Sequence, residues 1–344
     1  MTATAPAANP DATGEPAAPA IAREHAGIRL GWRSVASGAV VVTLVRPASW
    51  VLGLLGFMAG GGIAIVAWPI LVLPTPTGLQ NALGGPVSTL VFGAPSARLF
   101  GLIVGATGTA LVLLVAGVIA GAWAERHGIA VTLDAAADEG LDTTGASLVH
   151  GRGVPGTARV AVLRFLSLAP VAVAAGIAWQ TIYDATYREL ILPVDLVTPL
   201  PLRVVADVPS LLVGLAVVWL VSDAAASVGV RRLVLERRPV LVAWLLGWFD
   251  LVRRPLRVLP TALFGVVALL VPLVPALIAA GIGWDRIRDL LDTNPDPWFA
   301  LAAIATLVAV WLGGLILVGV GAAVRAAAWT LELPRRRPPG PSPR

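Results

Sequence analysis

The sequence predicts an all-α polytopic membrane protein: six transmembrane helices with an amphipathic helix lying in the cytoplasmic interface. Three observations predict it. Of 344 residues, 57% are hydrophobic and 13% charged, against about 25% charged in a soluble domain. Six stretches remain apolar over about 20 residues, the helical length that crosses roughly 30 Å of hydrocarbon. The arginines are also divided unequally between alternate loops. Outer-membrane strands would alternate apolar and polar residues in short segments, and these stretches are continuously apolar.

The first 20 residues are rich in Ala and Pro and lack the basic start and early apolar core of a signal peptide, and residues 1–35 read as a disordered cytoplasmic tail. The predicted membrane domain is 36–330, with spans at 49–73, 98–123, 159–183, 209–230, 259–283 and 298–323. Residues 331–344 form a basic, Pro-rich tail.

The topology follows from charge. All 25 basic residues are arginine, as expected of a GC-rich coding sequence, and 20 of them fall in or beside the two terminal segments and the loops after the second and fourth spans. Arginine near a span end resists translocation, so these segments are expected to be cytoplasmic. An even number of spans keeps both basic termini on one side.

The densest basic stretch, Arg231 to Val258, carries seven arginines around Trp244, Trp248 and Phe249. Asp250, Arg253, Arg254 and Arg257 follow the i, i+3, i+4, i+7 spacing of one helical face. Tryptophan favours the headgroup level and arginine reaches anionic lipid, so Trp244, Trp248, Arg253, Arg254 and Arg257 are the expected interfacial anchor. Pro255 ends that helix as the fifth span begins. A similar basic, proline-containing approach, LVRPASWVLG, precedes the first span, and GRGVPGTAR precedes the third. The chain thus reads as three helical hairpins, each led in by a basic segment.

Small residues suggest the packing. Gly101 and Gly105, then Gly117 and Gly121, make two GxxxG pairs in the second span, which permit close backbone approach. The pairs point about 160° apart at 3.6 residues per turn. The first span, with Gly56 and Gly60, is the expected partner. The external loops are unusually apolar and broken by Pro and Gly, as in TPTGLQNALGGPVSTLVFGAPSAR and DATYRELILPVDLVTPLPLRVVADVPS. They read as surface caps, as re-entrant or gating elements, or as plain loops.

Catalytic and metal-binding patterns are missing. His25, His127 and His150 lack ligand spacing, GxSxG is absent, and a Walker loop is impossible without lysine. The absence of cysteine excludes disulfides and thiolate chemistry. Asp285, Asp289 and Asp292 share a face near the last external loop, but Arg286 and Arg288 interleave with them, which favours a solvated helix. No catalytic residue, metal or cofactor is therefore expected. Arginines scattered along span borders do not make the basic face of a nucleic-acid reader. The expected partners are a bilayer with anionic headgroups and other membrane proteins.

One residue defies a bland reading. Asp223 lies eight positions before Arg231 in the fourth span, about 12 Å deeper at 1.5 Å per residue. A carboxylate there costs about 2.5–3.5 kcal/mol and cannot snorkel as arginine can. Arg164 in the third span and Arg325 in the sixth reach similar depth, so Asp223 is expected to face the bundle interior and pair with one of them.

On RPASWVLGLLGFMAGGG at the first span and TYRELILPVDLVTPLPLRVV in the second external loop, the chain resembles an uncharacterised family of six-span integral membrane proteins from GC-rich bacteria. Through VRRLVLERRPVLVAWLLGWFDLVRRPLRVL it more loosely resembles the membrane domains attached to some glycerophosphodiester phosphodiesterases, without their catalytic domain. The resemblance implies a bacterial plasma-membrane protein and no particular substrate. The expected function is a non-catalytic scaffold or regulatory component of a membrane complex. The alternative is a permease or transport-system component for a small molecule or lipid.

Overall fold

The computed structural model describes residues 32–63, 97–139, 156–192, 200–293 and 297–332, and every regular element among them is helical. In chain order these are α1 (Trp32–Val45), α2 (Ala48–Phe57), a π-helical turn (Met58–Gly62), α3 (Ala97–Asp138), α4 (Thr157–Ser167), α5 (Ala169–Ile191), α6 (Leu200–Asp207), α7 (Pro209–Leu235), α8 (Val240–Arg253), α9 (Pro255–Thr293) and α10 (Pro297–Glu332). Five stretches are long and apolar enough to cross a membrane: one in α3, one through α4 and α5, and one each in α7, α9 and α10. The bent pair of α1 with α2 and its π turn makes a sixth if counted as one span. The chain is a multi-pass, all-α membrane protein.

Helix ends depart from the sequence windows. The first window is described only to Ile63, and the first external loop lies outside the described residues. α1 begins at Trp32, inside the stretch assigned to the disordered tail. α3 runs on to Asp138, well past the predicted span end at 123, so His127 rides on a helix, while His150 lies outside the described residues. The continuation has a packing cause: Ile129, Leu133 and Ala136 recur at helical spacing and are buried. The second external segment is partly regular, because α6 is tied to the end of α5 by Arg188 to Asp207 at 3.0 Å and Arg203 to Glu189 at 2.8 Å.

Proline marks the junction of each lead-in helix with the helix that follows. Pro47 follows α1, Pro170 lies in the first turn of α5 and Pro255 opens α9. Proline lacks an N–H and disfavours helical geometry in the residue before it, so these are natural breaks. At the first the chain bends by 111°. Trp50 Nε1 and Ser49 Oγ both donate to the Thr43 carbonyl, at 2.8 and 3.3 Å, and so satisfy an oxygen that α1 leaves open at its end.

The lead-in helices organise the fold as a ring. α4 packs on α3, α8 on α7, and α1 on α10, so each lead-in helix seats against the returning helix of the preceding hairpin and the last hairpin closes on the first. Val35, Ala39 and Val42 of α1 accordingly share one core with Ala135 and Ala136 of α3 and Val324, Ala327, Ala328 and Leu331 of α10. A second core joins Ile129 and Leu133, Val160 and Leu163, Val230 and Leu233, and Ala243. Both cores lie at the C-terminal ends of α3, α7 and α10, which places the first and last described elements at the same, arginine-rich end. Toward the other end large apolar side chains such as Leu111, Val112, Val213 and Leu312 are exposed, as lipid-facing residues are.

Glycines set the closest approaches, but mostly not the expected ones. Gly117 and Gly121 do abut Ala59 of the π turn, so the first span's segment is their neighbour. At Gly101, Gly105, Gly56 and Gly60 an added Cβ would meet nothing within 4 Å among the described residues. Among the described residues the GxxxG spacing of the first pair therefore meets no neighbouring helix. The tight seams fall at Gly247 against the Ala225 carbonyl, Gly321 against the Ala268 carbonyl, and Gly53 against Gly319 and Ala323. Gly61, with φ of 102°, supplies the left-handed residue that lets the π turn kink.

α8 crosses α7 in close backbone contact. Its Gly247 lies on Ala225, and Gly229 of α7 would bring a Cβ to 3.1 Å from the Ala243 carbonyl oxygen. Beyond that crossing Arg232 of α7 bonds Asp250 of α8 at 2.6 Å. α8 buries Ala243, Gly247 and Asp250 and turns Leu241, Leu245, Phe249 and Val252 outward.

Candidate functional site: a charge network beside a cavity

The three returning helices each bring charge to the middle of the ring. α3 contributes Glu125, α7 contributes Asp223 and Arg231, and α10 contributes Arg325, while Arg164 arrives on α4. Each carboxylate is shared. Arg164 grips Glu125 with two parallel bonds of 2.7 Å, Nε to Oε2 and Nη2 to Oε1, the fork geometry that suits guanidinium to carboxylate. Its Nη1 donates to Asp223 Oδ1 at 3.0 Å. Arg325 closes on Asp223 Oδ2 and Arg231 on Glu125 Oε1. Arg231 is 2% exposed and also donates to the carbonyls of Ser227 at 3.1 Å and Ala326 at 3.2 Å.

The expected cluster of Arg164, Asp223 and Arg325 is thus assembled in the interior, with Asp223 bonded to both arginines rather than to one. Glu125 and Arg231 complete it, and neither was expected. Glu125 falls two residues past the second window, where it looked like the start of a loop. Arg231 was counted among the border arginines. The signal for Arg231 was present: Asp223, Ser227 and Arg231 repeat every four residues along one face of α7.

Burial makes this pairing obligatory. An ion held away from water without a partner costs several kcal/mol, and here all four carboxylate oxygens of Glu125 and Asp223 accept from arginine. With three arginines and two carboxylates, the network formally carries one net positive charge.

A cavity of about 340 Å³ opens beside the network. Its polar wall holds all five charged side chains, and its apolar wall includes Leu52, Phe57, Val118, Val171, Trp219 and Leu269. Gly56 and Gly60, expected to pack helices, line it instead.

The interfacial-anchor residues lie apart from the network's centre, on α8 and at the start of α9. Trp244 is half-buried against the α4–α7 core and meets Trp248 edge-on at 6.4 Å between ring centroids. Arg253 stacks over Phe249 at 4.5 Å, and Arg254 is exposed. The side chain of Arg257 lies outside the described residues, as do those of Asp285 and Asp289. Among the described residues no group of His, Asp and Glu is arranged to hold a metal ion.

Comparison with known protein families, with curated proteins and with solved structures gives no match to this chain.

Proposed function

We propose that this is a non-enzymatic protein of a bacterial plasma membrane, with both termini cytoplasmic, that holds a small molecule or lipid inside its helical bundle as a permease or the membrane component of a transport system. The observation that carries the reading is the cavity set against the five-charge network. A structural clamp alone needs no adjoining space, whereas about 300–1,000 Å³ with one polar wall is the usual form of a ligand site. Joining charges from α3, α4, α7 and α10, the network also couples any occupant to the relative positions of four helices. Anionic lipid is the natural partner of the arginine-rich end.

A second reading, a scaffold or regulatory component of a membrane complex, is supported by the ring closure and the backbone-to-backbone seams at Gly247 and Gly321, which favour a rigid bundle. One experiment separates the two. The chain is purified in lipid nanodiscs, copurifying lipids and proteins are identified by mass spectrometry, and solute release is measured from proteoliposomes. A retained small molecule or lipid with chain-dependent flux supports the first reading. A stoichiometric protein partner with neither overturns it.

A further inference from the structure

Close backbone packing divides the bundle in two. Among the described residues, every glycine at which an added Cβ would meet a neighbour within 4 Å meets it inside one of two groups of helices. In the first group, α4 to α8, Gly229 and Gly247 lie in the α7–α8 crossing. In the second, α1 to α3 with α9 and α10, Gly53 and Gly319 join α2 to α10, Gly117 and Gly121 join α3 to the π turn, and Gly314 and Gly321 join α10 to α9. Between the groups the joining is by apolar side chains at the arginine-rich end. There Ile129 and Leu133 of α3 share a core with Val160 and Leu163 of α4, and Val258 of α9 and Trp329 of α10 share one with Ala224 and Val228 of α7. Toward the other end, from Pro209 to Val221, α7 has no buried residue.

The charge network spans this division. Arg164 and Arg231 of the first group hold Glu125 of the second, and Arg325 of the second holds Asp223 of the first. Of the network's ion pairs only Arg164 with Asp223 stays within a group. The cavity lies on the same division, with Arg164, Val171 and Trp219 on one wall and Phe57, Val118 and Leu269 on the other. The two kinds of contact tolerate motion differently. Closely packed backbones cannot part without losing dispersion contacts along both helices, whereas a long arginine follows a carboxylate by changing rotamer. Arg164, Asp223 and Arg325 keep 24, 19 and 17% of their side chains exposed, so water offsets part of the cost when a bond between them lengthens. Where the chain passes from the first group to the second, Arg254 leaves helical geometry and Pro255 follows, the short break at an element's end that a hinge needs. We propose that α4 to α8 form a rigid body that rocks against the body of α1 to α3, α9 and α10, pivoting at the arginine-rich end and changing the width of the cavity, with the ion pairs of Glu125 and Asp223 as the latch. The motion needs no occupant, so its test is independent of the reading that the cavity holds a ligand.

The chain has no cysteine, so pairs of spin labels are placed in the full-length protein in lipid nanodiscs and read by double electron–electron resonance with no ligand added. Val213→Cys with Leu312→Cys spans the two bodies. Val213→Cys with Ile177→Cys lies within the first, and Leu111→Cys with Leu312→Cys within the second. All four native side chains are exposed. Val213 stands about 25 Å along α7 from Val230 at the pivot, so a rotation of about 15°, the size of known rigid-body transitions, displaces it by about 6 Å. The spanning pair is expected to give a distribution broadened or split by about that displacement, while both inside pairs give one narrow distance. Glu125→Gln loosens the grip of Arg164 and Arg231 and shifts the spanning pair toward its longer distance without moving the inside pairs. Arg325→Gln, which leaves Glu125 with both its arginines, serves if Glu125→Gln does not fold, and if neither folds the wild-type widths decide. A spanning pair as narrow as the inside pairs and unmoved by the network variants overturns the rocking. Inside pairs that broaden together with the spanning pair overturn the division into two bodies. Neither result bears on whether the cavity holds a ligand, which copurification and flux decide separately.

Discussion

The guanidinium of Arg164 donates to the carboxylate of Asp223 at 3.0 Å across 59 residues of sequence, while its other two nitrogens hold Glu125. One arginine therefore bridges both acids of the network, which behaves as a unit rather than as separate pairs. Removing any member leaves at least one buried charge short of a partner.

Asp223→Ala strips the partner from Arg325 and one bond from Arg164, and is expected to lower stability by about 3–5 kcal/mol, the cost of breaking a buried ion pair from one side. Fluorescence-detected thermal unfolding reads it. Exchanging Asp223 with Arg325 is expected to restore only part of the loss, since the arginine brought to position 223 would then face Arg164. Full recovery would mean that the pair acts independently of Arg164.

Glu125→Gln is expected to destabilise at least as much as Asp223→Asn, because Glu125 accepts three arginine bonds and Asp223 two. By contrast Arg46→Ala removes the Arg46–Asp138 pair, whose side chains are 47 and 64% exposed, and should cost under about 1 kcal/mol. The same unfolding assay ranks the three.

Glycine substitutions separate contact from spacing. Gly247→Ala and Gly321→Ala would drive a Cβ into a neighbouring helix backbone, and each is expected to cost about 1–3 kcal/mol by overpacking. Gly105→Ala meets open space among the described residues and should be neutral or stabilising by up to about 1 kcal/mol through helix propensity. A loss at Gly105 matching that at Gly247 would show that the GxxxG pair makes a contact after all.

Topology is testable without purification. A reporter active only outside the cytoplasm should work after residue 80, 195 or 292 and stay silent after 140, 245 or 340. A cytoplasmic signal at 195 would refute the proposed orientation.

The sequence by itself determined the class of this protein, the approximate positions of its membrane helices and the oddity of Asp223, because each depends on local quantities. Apolar length, arginine placement and the cost of a carboxylate in hydrocarbon are properties of a segment and its solvent. The extension of α3 was not legible that way: residues 124–138 look like a polar loop until Ile129, Leu133 and Ala136 are seen packed against other helices. The pairing within the network, the membership of Glu125 and Arg231, and the tight seams at Gly247 and Gly321 belonged to the tertiary structure alone. GxxxG spacing puts two glycines on one face of a helix, but whether another backbone lies against that face depends on how the three hairpins close their ring, and that closure gathers residues hundreds of positions apart, such as Val42 and Val324, into one core.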